Sequence, residues 1–168
     1  DGDSDKFKIG TTAIGTDTAL AIEGGSITMP NQPAFMVTPA SIQSNIATGT
    51  SVTVIFGTER FDQGGDFASN VFTAPVTGKY QLNFMLYLTT LDSAATYYVA
   101  SIITSNHSYE SCIWDPDFGQ DAEFWTITGA ALVDMDASDT ALIRLVQSDG
   151  TAQTDISPGS YFSGYLAC

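Results

Sequence analysis

The run "WDPDFGQDAEFW", residues 114–125, is where side chains capable of chemistry crowd most closely. Asp115, Asp117, Asp121 and Glu123 put four carboxylates into nine residues, and such hard oxygen ligands hold Ca2+. Their spacing is not that of an EF-hand loop, and clustered surface carboxylates are commonly just solvated. The same run interleaves aromatics with the acids. Trp114, Phe118 and Trp125, with Tyr109 upstream, suit stacking on sugar rings while the carboxylates accept hydroxyl hydrogen bonds. Core packing competes with that reading for both tryptophans, more strongly for Trp125, whereas Phe118 sits among loop formers. The candidate ligand-binding residues are therefore Trp114, Asp115, Asp117, Phe118 and Asp121, and the candidate metal ligands Asp115, Asp117 and Glu123.

Nothing comparable points to catalysis. His107 is the sole histidine, and "TSNHSYESC" around it offers serines but neither a nucleophile elbow nor a Gly-rich oxyanion loop. A turn between strands is the simpler reading, and no enzyme is expected. Asn106-His107-Ser108 has the form of an N-glycosylation acceptor, a triplet that often arises by chance. Cys112 and Cys168 are the only two cysteines, too few for a metal cluster or a disulfide framework. Each reads first as a small hydrophobe.

The elements that position these residues belong to one main globular domain. The chain has 168 residues, 43% of them hydrophobic and 14% charged. Five Lys plus Arg against 19 Asp plus Glu give a net charge of −14, which repels phosphate backbones and anionic headgroups and disfavours nucleic-acid or membrane-surface partners. No apolar run approaches the roughly 18 residues that span a bilayer, and no signal segment opens the chain. The sequence starts at Asp1 rather than Met, which reads as a processed product or a cut fragment.

Two regions differ in character. Residues 1–32 carry a short repeat, "IGTTA" then "IGTDTA", expected to form a fibre-like neck if several chains wrap a shared axis, or a flexible leader if they do not. Residues 33–168 alternate short apolar runs with turn clusters such as "DQGGD", "DPDFGQD" and "SPG". Strands are expected at 34–37, 51–56, 71–73, 79–90, 96–105, 107–114, 124–135, 140–147 and 160–167. No segment sustains a 3.6-residue period, so the fold class is all-β, a sandwich or barrel. Several strands are apolar on both faces. Met85 and Tyr87 interrupt the polar face of the run from Tyr80 to Leu88, and "TYYVASIITS" and "SYFSGYLAC" offer no polar face at all. A sandwich has one inner face per sheet, so the surplus calls for another cover, most simply self-association.

The stretch "FTAPVTGKYQLNF" makes the reading specific. Phe56, Asp62 and Phe67, then Phe72, Gly78, Tyr80 and Phe84, follow the spacing of a known signature. It resembles that of the globular head domain of complement, first component, subcomponent q, a jelly roll shared with tumour necrosis factor. Leu82 stands where that family has Phe, and the Phe67 to Phe72 gap is two residues shorter. "SYFSGYLAC" is similar to the family's closing strand and "GAALVDMDASDTALIRL" to its preceding hairpin. In this reading Pro75 stops a strand, Gly78 supplies an unusual φ for the turn, and Tyr80 starts the core-facing alternation.

The resemblance implies a jelly-roll β-sandwich that assembles as a homotrimer, with Met85, Tyr87, Tyr98, Tyr161 and Tyr165 as candidate interface residues. It also implies a sheet shared by the strands of Cys112 and Cys168, which would allow a disulfide, and acids near 115–123 placed for Ca2+; no other cofactor is expected. The absence of a Gly-X-Y stalk and the repetitive leader suggest a viral or phage fibre tip on the virion surface, or another extracellular setting, binding a cell-surface glycan or protein receptor. A trimerisation clamp registering a longer fibre, or a secreted lectin or signalling ligand, is the alternative.

Overall fold

The computed structural model describes residues 7–10, 18–23 and 25–168, and every regular element among them is a strand. In chain order these are β1 (Phe7–Gly10), β2 (Thr18–Glu23), β3 (Ser26–Thr28), β4 (Ala34–Thr38), β5 (Ser51–Thr53), β6 (Thr58–Gln63), β7 (Phe67–Ala68), β8 (Val71–Thr73), β9 (Gly78–Leu91), β10 (Tyr97–Thr104), β11 (Ser108–Trp114), β12 (Ala122–Met135), β13 (Thr140–Ser148), β14 (Asp155–Ile156) and β15 (Tyr161–Leu166). Strands β1–β3 form a small antiparallel sheet of their own. Most of the repeat expected to build a neck lies at 11–17, outside the described residues.

The other strands form a sandwich of two six-stranded antiparallel sheets, the jelly roll that the resemblance implied. One sheet runs β12-β9-β15-β4-β6, with β14 added on β9; the other runs β11-β10-β13-β8-β7, with β5 added on β13. Strand β9 shows why. Tyr80, Leu82, Phe84, Leu86 and Leu88 alternate inward and are fully buried, so the two-residue side-chain period fixes which face meets the core. The period breaks at Thr90, whose φ of 54° brings Leu91 back to the core side.

The signature residues turn out to be one packing unit. Phe35 stacks on Phe72 with ring centroids 4.6 Å apart and meets Phe162 edge-on at 4.9 Å. Phe67 stacks on Phe35 at 5.4 Å, Phe56 lies 5.9 Å from Phe162, and Tyr80 lies 5.5 Å from Phe72. Asp62 stands outside this cluster but sets its geometry. Its carboxylate accepts hydrogen bonds from the Asp66 and Phe67 amides at 3.1 and 3.0 Å, closing the turn that delivers Phe67 to the core.

Three expectations change. Gly78 does not have a positive φ; space is what it supplies, since a Cβ there would sit 2.6 Å from Leu166 Cδ1 and 2.7 Å from the Cys168 carbonyl. The strand expected at 51–56 ends at Thr53, beyond which the Phe56 amide donates to Asn70 Oδ1 at 2.7 Å. Strands β6, β7 and β14 were not anticipated: β6 has no inward alternation, and the other two have two residues each.

The register defines two ends. At the base, Gly78 faces Met135, Tyr165 faces Ala34, and the 105–107 and 136–139 turns meet. At the apex, Leu91 faces Ala122, Tyr97 faces Ser148, and Trp114 faces Tyr98, so loops 92–96, 115–121 and 149–154 gather there.

Candidate functional site

The apex is organised by a buried carboxylate that the sequence did not single out. Asp92 follows β9 directly and is almost fully buried. Its Oδ1 accepts from the Ala94 amide at 2.8 Å; its Oδ2 accepts from the Ala152 amide at 2.6 Å and from the Thr151 amide. Burial pushes its pKa up, but the Ala152, Ala94 and Thr151 donors outweigh that and hold the carboxyl below the usual Asp range. The Asp92 amide donates to Tyr98 Oη at 3.0 Å, and Tyr98 Oη pairs with Thr154 Oγ1 at 2.7 Å. Two loops that each cross between the sheets are thereby locked to one core tyrosine. A lone Asp in "TTLDSAAT" reads as an ordinary turn residue, and only tertiary placement reveals its three donors.

The 115–121 loop lies beside this lock. Asp121 Oδ1 accepts from the Ser93 amide at 2.9 Å and from Ser93 Oγ at 2.8 Å, tying the loop to the β9–β10 turn. Asp115 and Asp117 are exposed, as is Glu123 in β12, and no group of three metal-ligating side chains converges among the described residues. These carboxylates thus do not form a ready metal cage within one chain. The aromatics divide. Phe118 and Trp125 pack against each other at 4.9 Å and both stay partly open to solvent, a paired platform flanked by Asp117 and Asp121. Trp114 instead stacks on Tyr98 at 4.7 Å with planes 13° apart, and its Nε1 is buried with no acceptor. It supports the loop from below, whereas Trp125 is the tryptophan that lies open beside Phe118.

The second candidate surface is the outward face of the β12-β9-β15-β4-β6 sheet. The register places Tyr161 beside Met85, Tyr165 beside Gln81, and Leu132 on the other side of Gln81. Tyr87 packs on Phe124 at 5.9 Å. Phe61 is 52% exposed, Tyr165 49%, Leu132 60% and Phe124 56%. Met85, Tyr87, Tyr161 and Tyr165 thus share one face as expected. Tyr98 does not. It belongs to the other sheet and points into the core, because in β10 the outward set is Tyr97, Val99 and Ile103. The implied sheet shared by the strands of Cys112 and Cys168 is not found either. Cys112 is in β11 of one sheet, Cys168 follows β15 of the other, and both thiols are free. Burial pushes the Cys112 thiol pKa up.

Sequence and fold comparison place this architecture. The family model of the C1q domain matches residues 34–167. The chain belongs to the C1q domain family. Among solved structures, the globular domain of zebrafish complement 1qA protein is similar at 20% identity with a TM-score of 0.59, covering 82% of this chain and 98% of that one. Murine APRIL is similar at 16% identity with a TM-score of 0.56, covering 80% of this chain and 98% of its own. At such identities the likeness is one of fold. No curated protein matches the chain in sequence. C1q domains are generally non-enzymatic binding modules.

Proposed function

We propose that this C1q domain is a non-enzymatic attachment head that assembles as a homotrimer and binds a cell-surface glycan or protein through its apex loops, at the tip of a viral or phage fibre or in another extracellular setting. The observation that carries this reading is the aromatic outward face of the β12-β9-β15-β4-β6 sheet. Exposed Phe61, Phe124, Leu132 and Tyr165, with Met85, Tyr87 and Tyr161 among them, have the aromatic and Met content of an interface core. Packing three copies around these faces buries that surface and sets three apex loop clusters side by side, where weak sites gain avidity from geometry. Phe118 and Trp125 supply the stacking platform for a sugar ring, and Asp117 and Asp121 the hydroxyl acceptors. The fibre setting draws support from the repetitive leader.

Sedimentation equilibrium tests the assembly. A mass of three chains is expected for the wild type and of one chain for a Tyr165→Asp, Leu132→Asp double variant; a monomeric wild type overturns the reading. A glycan array probed with and without Ca2+ tests the ligand class. Binding that falls at least about tenfold in Phe118→Ala supports the apex platform, a loss of roughly 1.4 kcal/mol or more, whereas a blank array favours a trimerisation clamp.

A further inference from the structure

We propose that the outward face of the β11-β10-β13-β8-β7 sheet is a second self-association surface, covered by the same face of another copy of this chain. It lies on the side of the sandwich away from the aromatic face described above, so it stands independently of the trimer. Its pattern is unusual for a solvent-facing sheet. Val99 and Ile103 point outward from β10, Val146 lies beside Val99 on β13, and Ile113 lies on its other side on β11 and is 58% exposed. Between the apolar rows runs one charged row. Ser101 of β10 is flanked by Glu110 of β11 and by Arg144 of β13.

The placing of that row identifies the occupant. Adjacent strands are about 4.8 Å apart, so Glu110 and Arg144, separated by β10, are roughly 10 Å apart at the backbone. They do not reach ion-pair distance within the chain. A twofold axis between two stacked sheets, parallel to β10 and above Ser101, lays each copy's Arg144 over the other's Glu110. The same rotation puts Val99 and Ile103 against their counterparts and Ile113 against Val146. Sheets stacked about 10 Å apart with strands nearly aligned have this relation. The face is therefore self-complementary in charge and in apolar contact, as an isologous contact requires. A foreign partner would have to reproduce an acid and a base at the same spacing, in the same order, within an apolar frame.

The test is sedimentation equilibrium of the whole chain over a concentration series. The variants are E110R, R144E, the E110R/R144E double and I113D, each checked for native near-ultraviolet circular dichroism. The wild type is expected to rise to about twice the mass of its smallest species, or beyond. Each single charge reversal sets like charges over one another in both halves of the contact and abolishes the rise; I113D does the same. The double reversal restores it, which loss of folding or of general surface charge would not do. A wild type whose mass stays flat overturns the proposal, as does a folded double variant that fails to recover the rise. Failure of the trimer is separate, since it changes the mass of the smallest species and leaves the concentration-dependent rise in place.

Discussion

Removing the Asp92 carboxylate should cost this fold more than any other single polar change at the apex. Asp92→Ala leaves the Ala94, Thr151 and Ala152 amides without their acceptor beneath two loops. A hydrogen bond to a charged group contributes roughly 1.5–3 kcal/mol, and a stranded buried donor costs about 1–3 kcal/mol. The three amides share two oxygens and the loops can admit water, so the expected loss is about 3–5 kcal/mol at neutral pH. Asp92→Asn keeps the shape but turns an N–H toward at least one donor, for a loss of about 2 kcal/mol. The pH dependence follows from the sign of the shift. The folded carboxyl lies below its ordinary value of 3.8, so its contribution is fully present above that value and is lost as pH falls through the folded one. Urea unfolding at fixed protein concentration, from neutral to acid pH, should show a constant gap between wild type and Asp92→Ala that narrows below about pH 4. A neutral-pH loss under about 1 kcal/mol, or a gap indifferent to acid, would refute the reasoning.

Three further outcomes are expected. Gly129→Val should lower stability by about 1–3 kcal/mol or more through overpacking, because its Cβ would sit 2.5 Å from both Phe84 Cζ and Ser111 Cβ; thermal melting reads this. Tyr98→Phe, which removes the hydroxyl shared by the Asp92 amide and Thr154, should cost about 1–2 kcal/mol, measured by urea unfolding. In a thiol titration of native protein, Cys168, exposed, should react well before the half-buried Cys112, whose thiol is held in its protonated form. The intact mass should be the same with and without reductant.

The frame of this head was legible because its residues act through local rules. Phe56 after β5, Phe67 of β7, Phe72 of β8 and Tyr80 of β9 are spaced so that each segment delivers one ring to a common cluster, and the inward alternation of β9 is a direct imprint of the strand period. Strand β6 lacked such an imprint, since Glu59, Arg60 and Phe61 are all exposed. Tyr98 illustrates a different limit. A strand apolar on both faces says that something covers each face, but the choice between Tyr97 and Tyr98 depends on which sheet lies beneath. The candidate site was legible as a segment and not as a geometry. "WDPDFGQDAEFW" does form the apex loop, yet whether Trp114 or Trp125 partners Phe118 depends on β11 and β12 sitting in different sheets. Asp92 was invisible because two of its three donors, the Thr151 and Ala152 amides, are some sixty residues away in sequence.

The pairing of β4 with β15 at the base bears on how the head carries load. The Leu166 amide donates to the Pro33 carbonyl at 3.0 Å, and Ala34 to Val37 pairs with Tyr165 to Phe162. Tension applied between the start of β4 and a target held at the apex runs along the strands. The β4 ladders to β15 and β6 then resist in shear, their hydrogen bonds sharing the force and failing together, where a peeling geometry would break them one at a time. If the domain attaches through its apex as proposed, it would resist a pull along the strands most and a sideways tug least.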